Sequence, residues 1–314
     1  MSPLVTVVIP TYRRPGLVKK AVQSALAQTL KSIEVIVVID GPDQEVRKIL
    51  AEITDSRLQV IEKPVNEGCT AARMTGVNAA SAQWIAYLDD DDEWMPRKLE
   101  RQFETVSSSQ YHFPIASCYV QARFPGSVDV LPRRIPSAAE HLSEYLFVRH
   151  SPFYGDGLIQ TSTMLTSKEL ILKVPCKSDV HDDWGWILAA IQQEGVGVEF
   201  VPEVLSIWNL DANRSSMSRS FKWKESLLWI RNNRSLVTPY AYSSFILSEV
   251  GARAAGDHAW LSLFPLLWES MSLGNPRLGD LSLYLGMWLI PRRLRPWLRQ
   301  RLTHATKAFR SVLT

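Results

Sequence analysis

Tyr87-Leu88-Asp89-Asp90-Asp91-Asp92-Glu93-Trp94 decides how this chain is read. Gln83 to Leu88 is apolar and predicts a buried strand, and Met95-Pro96 opens a helix running to about Val106. Four adjacent carboxylates where a buried strand emerges are costly unless something positive sits against them. In an extended backbone Asp89 and Asp91 share one face, and Asp90 and Asp92 the other. One such pair can hold a hard divalent cation, which takes oxygen ligands and keeps water or substrate phosphate in its shell. The plainer reading is an acidic helix start, which suits the helix dipole. A surface cap, however, seldom follows six apolar-leaning strand residues.

Upstream, Leu4 to Pro10 (LVTVVIP) is rich in β-branched residues, as a buried parallel strand should be. Thr11 to Gly16 reads as a turn, and Leu17 to Gln28 has helical spacing. Glu34 to Ile39 predicts a second buried strand, closed by Asp40-Gly41-Pro42-Asp43. A helix from Gln44 to Ile53, strand Leu58 to Ile61, loop Asn66-Glu67-Gly68-Cys69 and helix Thr70 to Ala80 lead back to the acidic run. Strands separated by helices of roughly ten residues predict a parallel, doubly wound α/β sheet with helices on both faces. Ligands of such sheets sit at the carboxyl ends of the strands. Pro10-Thr11, Asp40 and Asp89 to Asp92 all fall on that edge.

Downstream, Ile115 to Phe124 and Val128 to Leu131 flank Pro125-Gly126-Ser127, an antiparallel hairpin pattern. A capping-box signature at Ser137 to Glu140 predicts a helix from Ala138 to Val148. Leu158 to Leu165 reads as a strand, and Ser167 as the cap of a helix to Leu172. His181-Asp182-Asp183-Trp184 begins a helix that Gly195 ends, and Val198 to Val201 makes a last strand. Ser206 to Ser220 reads as a polar mobile loop, with Arg214 a candidate contact for a diphosphate.

The 314 residues suffice for one large α/β domain with an appendage, and 46% apolar against 21% charged residues fits an ordinary globular core. Three distant cysteines show no zinc spacing and favour a reducing compartment. Met1 leads directly into a strand without a signal segment, and no window is apolar enough to span a bilayer, so a cytoplasmic protein is expected. From Phe221 the sequence is helical and rich in Trp, Leu and Arg. After Pro291 it carries Arg292, Arg293, Arg295, Arg299, Arg301, Lys307 and Arg310 and no acid, with apolar residues at helical spacing. Such a basic amphipathic helix suits an anionic membrane surface; a helix packed on the rest of the chain is the alternative. No nucleic-acid-binding module surrounds it, so nucleic acid is not an expected partner.

Val7 to Tyr12, Val38-Ile39-Asp40-Gly41, Asn66-Glu67-Gly68 with Ala72-Arg73, the Asp89 to Asp92 run and Asp182-Asp183-Trp184 stand in an order that resembles the family 2 glycosyltransferases. The resemblance covers about residues 4 to 215. It implies a GT-A fold, Rossmann-like and mostly parallel, over 1–215 and a helical region with a basic tail over 216–314. It further implies an inverting, Mn²⁺- or Mg²⁺-assisted transfer from a nucleotide-sugar donor, uridine favoured, to a glycan or lipid-linked glycan. Pro10, Thr11 and Tyr12 would lie against base and ribose, Asp40 would accept from the base imide, and Arg73 would donate near the phosphates. Asp89 and Asp91 match the ends of the family's Asp-x-Asp, which touches ribose and the metal-bound diphosphate; Asp90 lies between them, and Asp92 corresponds to a supporting acid. Asp183 matches the general base, with Asp182, where the family usually has Glu, as its understudy. Gly41-Pro42-Asp43 also departs from the family's usual Asp-Gly-Ser.

The rivals are a sugar-phosphate nucleotidyltransferase and a catalytically silent nucleotide- or glycan-binding protein on the same scaffold. The first would carry a Gly-rich loop after the opening strand, where Thr11-Tyr12-Arg13-Arg14 has one nearby glycine. Retention of Asp91 and Asp183 argues against the second.

Overall fold

The computed structural model describes residues 2–137, 139–150, 155–176, 178–210, 222–290 and 294. They group into two compact units, 1–137 with 157–219 and 138–156 with 220–314. The sequence reading counts 138–156 with the first 215 residues.

The first unit is built on β1 (Val5–Thr11), every residue of which is buried. α1 (Pro15–Leu26) follows with proline in its first turn. Then come β2 (Ile33–Ile39) and α2 (Gln44–Ala51), whose first N–H groups donate to the Asp43 carboxylate. Next are β3 (Leu58–Glu62), α3 (Cys69–Ala79) and β4 (Trp84–Tyr87). These four strands pair in parallel in the order β3-β2-β1-β4, as the alternating pattern predicts. α3 lies so close to the sheet that a Cβ on Gly76 would stand 2.5 Å from a Val8 methyl.

Beyond β4 the sheet becomes mixed. β5 (Glu93–Trp94), α4 (Lys98–Ser107), β6 (Phe113–Phe124) and β7 (Ser127–Leu131) follow, the last two as the expected antiparallel hairpin. α5 (Leu142–Phe147) belongs to the second unit. The helix expected from Ala138 begins only at Leu142, because the His141 ring, not the capping box, takes the first free N–H, from Ser143. The strand expected over Leu158 to Leu165 is instead a 3₁₀ turn, Thr161–Thr163, followed by β8 (Leu165–Ser167), antiparallel to β4. The Thr163 hydroxyl closes that turn onto the Gln160 carbonyl at 2.6 Å. α6 (Lys168–Lys173) is capped by Ser167, as expected. α7 (Asp182–Ala190) leads to β9 (Val196–Asn209), which runs through Pro202. Its pairing with β6 shifts register after Cys118, so Pro202 falls in a bulge where no ladder N–H is needed. The sheet order is β3-β2-β1-β4-β8-β6-β9-β5, with β7 on β6.

The second unit is helical, with α5, α8 (Trp223–Asn232), α9 (Pro239–Phe245), a π-helical turn at Ile246–Val250 and α10 (Gly251–Gly256). α11 (Leu263–Leu273) and α12 (Leu278–Leu289) complete it. Phe147, Trp229 and Phe245 meet edge-on or tilted at its centre. Among the described residues no helix is long and apolar enough to cross a membrane. The expected basic helix after Pro291 and the contact expected of Arg214 lie outside the described residues.

Candidate active site

Asp89 to Asp92 form a turn rather than an extended strand, yet the expected pairing holds, with Asp90 and Asp92 buried and Asp89 and Asp91 more exposed. The chain turns at Asp89 to Asp92, with the Asp92 N–H donating to the Asp89 carbonyl at 3.1 Å. Asp90 points inward, where its carboxylate accepts from Thr11 Oγ1 at 2.8 Å and Arg14 Nη1 at 2.9 Å. The same guanidinium nitrogen stands 3.4 Å from Asp91 Oδ2. Asp92 is buried, accepting from Gln160 Nε2 at 2.6 Å and Ser162 Oγ at 2.7 Å. Burial and the Asp91 charge push Asp90 up to about 6 despite Arg14. Burial, then the Asp89 and Asp91 charges, pushes the Asp92 carboxyl well above its ordinary value, with Ser162 and Gln160 opposing. The two side chains that reach outward are Asp89 and Asp91, 27% and 21% exposed against 6% for Asp90.

The positive charge that the sequence demands comes from two arginines on different elements. Arg14, at the start of α1, serves Asp90 and Asp91. Arg73, on α3, donates from Nη2 to Asp89 Oδ1 at 2.6 Å and from Nη1 to Asp182 Oδ2. One planar guanidinium thus joins the acidic turn to the first residue of α7. Its Nε is buried without an acceptor among the described residues.

Asp183 follows on α7, half-buried, with Oδ1 accepting from the Trp184 N–H at 2.8 Å. Loss of hydration, then the Asp182 charge, pushes its carboxyl up to about 7, with the Trp184 N–H and Arg73 opposing. His181, just before the helix, has φ of +50° and stacks on Trp184 with ring centroids 4.9 Å apart. A narrow cavity of about 30 Å³ has Arg73, Tyr87, Asp182, Asp183 and Trp186 in its wall. A wider one of about 500 Å³ is lined by Lys20, Asp91, Asp92, Arg123 and Asn209 among others.

The expected nucleotide contacts divide. Pro10 and Thr11 are buried in β1, the Thr11 hydroxyl being taken by Asp90, whereas Tyr12 is exposed beside Arg13. Asp40 is buried. Its two oxygens accept from the N–H groups of Glu67 and Gly68 at 3.0 and 2.9 Å, and Lys63 Nζ stands 3.2 Å away. Its geometry is that of a clamp on the Asn66 to Gly68 turn, where Gly68 has φ of +95°.

Arg14, Gln160 and Ser162 escape the sequence reading, and Ser206 to Asn209, expected to open a mobile loop, instead end β9 paired with β6. Asn209 Nδ2 donates to the Asp91 carbonyl at 3.0 Å. The signal for Gln160 and Ser162 is present: four consecutive hydrogen-bonding side chains, Gln160 to Thr163, interrupt an apolar stretch, and all four are buried.

Among the described residues no three or more His, Cys, Asp or Glu side chains form a metal cage. The outward donor set is two carboxylates. These are hard oxygen ligands that fit Mg²⁺ or Mn²⁺ when the cation shares its shell with a diphosphate and water.

A family model, Glycosyl transferase family 2, matches residues 6–146. The chain is 31% identical over 121 residues to the Escherichia coli UDP-Glc:alpha-D-GlcNAc-diphosphoundecaprenol beta-1,3-glucosyltransferase WfaP, covering 38% of this chain and 48% of that one. It is 36% identical over 107 residues to the Rhizobium meliloti succinoglycan biosynthesis protein ExoO, covering 34% of this chain and 31% of that one. It therefore spans half or less of the length of these relatives. Among solved structures it is similar to Staphylococcus aureus TarS in complex with UDP, with a TM-score of 0.50 at 14% identity over 91% of this chain and 90% of that one. The mixed sheet with its helical C-terminal region is the GT-A class of fold. Residues 6–146 thus form a domain similar to those of glycosyltransferase family 2.

Proposed function

We propose that this chain is an inverting glycosyltransferase that moves a sugar from a nucleotide-diphosphate donor, a UDP-sugar favoured, to a hydroxyl of a growing glycan or glycolipid. The observation that carries this reading is the Arg73 bridge. It ties Asp89, on the outward side of the acidic turn, to Asp182, the neighbour of a carboxyl whose pKa of about 7 suits proton removal near neutrality. The name of the E. coli relative, a transfer from UDP-Glc to a diphosphoundecaprenol-linked sugar, supports both the UDP donor and a lipid-linked acceptor.

In this reading Asp91 and Asp89 hold Mn²⁺ or Mg²⁺, which when bound neutralises the diphosphate as it departs. Tyr12 offers an exposed ring for the base, and Asp40 shapes the donor site through the Gly68 turn it clamps. Arg14 and Arg73 keep the acids from repelling one another and hold the turn in place. Asp183 takes the proton of the incoming hydroxyl as that oxygen attacks the anomeric carbon from the side opposite the diphosphate. One base gives a single displacement with inversion, and no second carboxylate nucleophile is needed. Donor binding and catalysis are assigned to residues 1–215 and the helical appendage to 216–314, in a cytoplasmic protein whose basic tail touches an anionic membrane.

A thermal-shift panel of nucleotide diphosphates with and without Mn²⁺ tests the donor side. UDP should stabilise the chain only when metal is present, and a flat panel would overturn the reading.

A further inference from the structure

We propose that α11 and α12 form a lipid-docking face that seats the chain on an anionic membrane surface. Both helices pack on the π-helical turn and on α10, and the start of α11 lies beside the end of α12. Trp260, just before α11, meets Trp288 near the end of α12 with ring centroids 5.3 Å apart, and Tyr284 Oη donates to the Leu263 carbonyl at 2.7 Å. The inward sides carry Leu266 and Ser270 on α11 and Asp280, Tyr284 and Trp288 on α12.

The other sides are apolar and uncovered. Leu261, Phe264 and Trp268 are 96%, 76% and 73% exposed, and Leu278 and Leu289 are 83% and 69% exposed. Leu261 and Leu289 are the chain neighbours of Trp260 and Trp288, whose rings touch. Exposed apolar residues scattered singly are normal, but a cluster of leucine and aromatic side chains of this size marks an interaction surface.

The charge pattern selects the occupant. From Ala259 to Ile290 the charged residues are Glu269, Arg277 and Asp280. Glu269 is taken by Arg231 and Tyr242, and Asp280 is buried against the Arg277 N–H and Ser244. The face thus presents no free carboxylate to repel anionic headgroups, and it leads directly into residues 291–314, which are basic and hold no acid. Helices of 11 and 12 residues rise about 16–18 Å at ~1.5 Å per residue, well short of a bilayer core. They can lie in the interface but cannot cross it, and tryptophan and phenylalanine beside leucine are suited to that layer.

The test is flotation of the full chain with vesicles of equal parts phosphatidylglycerol and phosphatidylcholine, against vesicles of phosphatidylcholine alone. The comparison is with the triple variant Phe264→Ser, Trp268→Ser, Leu289→Ser. All three side chains are exposed, so thermal unfolding should be unchanged and should confirm folding. The wild type should float with the anionic vesicles, and the variant's bound fraction should drop about tenfold or more. In high salt the wild type should keep a bound fraction that the variant lacks, since salt screens the basic tail but not apolar contact. Equal flotation of both proteins would assign binding to the tail and overturn the proposal, as would a wild type that stays unbound. A wild-type dimer in light scattering that the triple variant abolishes, with vesicle binding unaffected, would give the face to a second copy. UDP binding is untouched by any of these outcomes, so the face and the proposed transfer stand or fall separately.

Discussion

Replacing Asp183 by Asn should stop transfer while making the folded chain more stable at alkaline pH, because the burial that raises the carboxyl also burdens the fold. In the folded chain Asp183 holds its proton up to about 7, against an ordinary value of 3.8. Between those values the native state keeps a proton that the unfolded chain has released, so stability falls as pH rises through the window, and the whole penalty applies above 7. Roughly three pH units at about 1.36 kcal/mol each set a ceiling of about 4 kcal/mol. Asp183 is only half-buried, and solvent screening reduces this to about 1–2 kcal/mol. Asparagine carries no charge and still offers an oxygen to the Trp184 N–H. Asp183→Asn should therefore unfold about 2–6 °C higher at pH 8 and show little change at pH 4. Its transfer rate should drop about 10²–10⁴-fold, with stabilisation by UDP and Mn²⁺ kept. Wild-type kcat/KM should rise with pH to a plateau above about 7. A variant that keeps most of its activity removes Asp183 from the chemistry, and a lower Tm at pH 8 would refute the burial argument.

Other perturbations read the supports of the site. Arg73→Met leaves Asp89 and Asp182 facing each other without their shared cation, at about 3–5 kcal/mol; urea unfolding should show that loss, and a change under about 1 kcal/mol would deny the bridge its role. Asp40→Asn keeps the shape but leaves one of the Glu67 and Gly68 N–H groups facing an NH₂, and should cost about 2–3 kcal/mol in the same assay. Gly68→Ala places a Cβ 2.5 Å from Asp179 Oδ2 at φ of +95°, so it should destabilise through both clash and backbone strain. Adding Asp179→Ala should relieve the clash but not the strain, and strictly additive effects in this double-mutant cycle would rule the clash out.

The parts of the fold legible in the sequence are those set by neighbours along the chain. β1 and β2 show as β-branched runs, α1 shows in the helical spacing from Leu17 although it starts two residues earlier on Pro15, and α2 starts at Gln44 as expected. The place of the acidic run at the strand ends is legible for the same reason. Its conformation is not, because alternation is a local rule and this turn is shaped from afar. Thr11 reaches Asp90 from 79 residues away, Ser162 reaches Asp92 from 70, and Arg73 pairs with Asp182 across 109. Asp40 shows the same limit: a carboxylate closing a strand is visible in the sequence, but the loop that uses its oxygens lies 27 and 28 residues on. The polar run Gln160 to Thr163 narrows the gap. Four hydrogen-bonding side chains inside an apolar stretch cannot be buried without partners. A run of buried acids elsewhere in the same sheet needs donors of that kind. Those donors go to Asp92, which Ser162 and Gln160 hold inward as a brace, leaving Asp89 and Asp91 as the pair that can face a ligand.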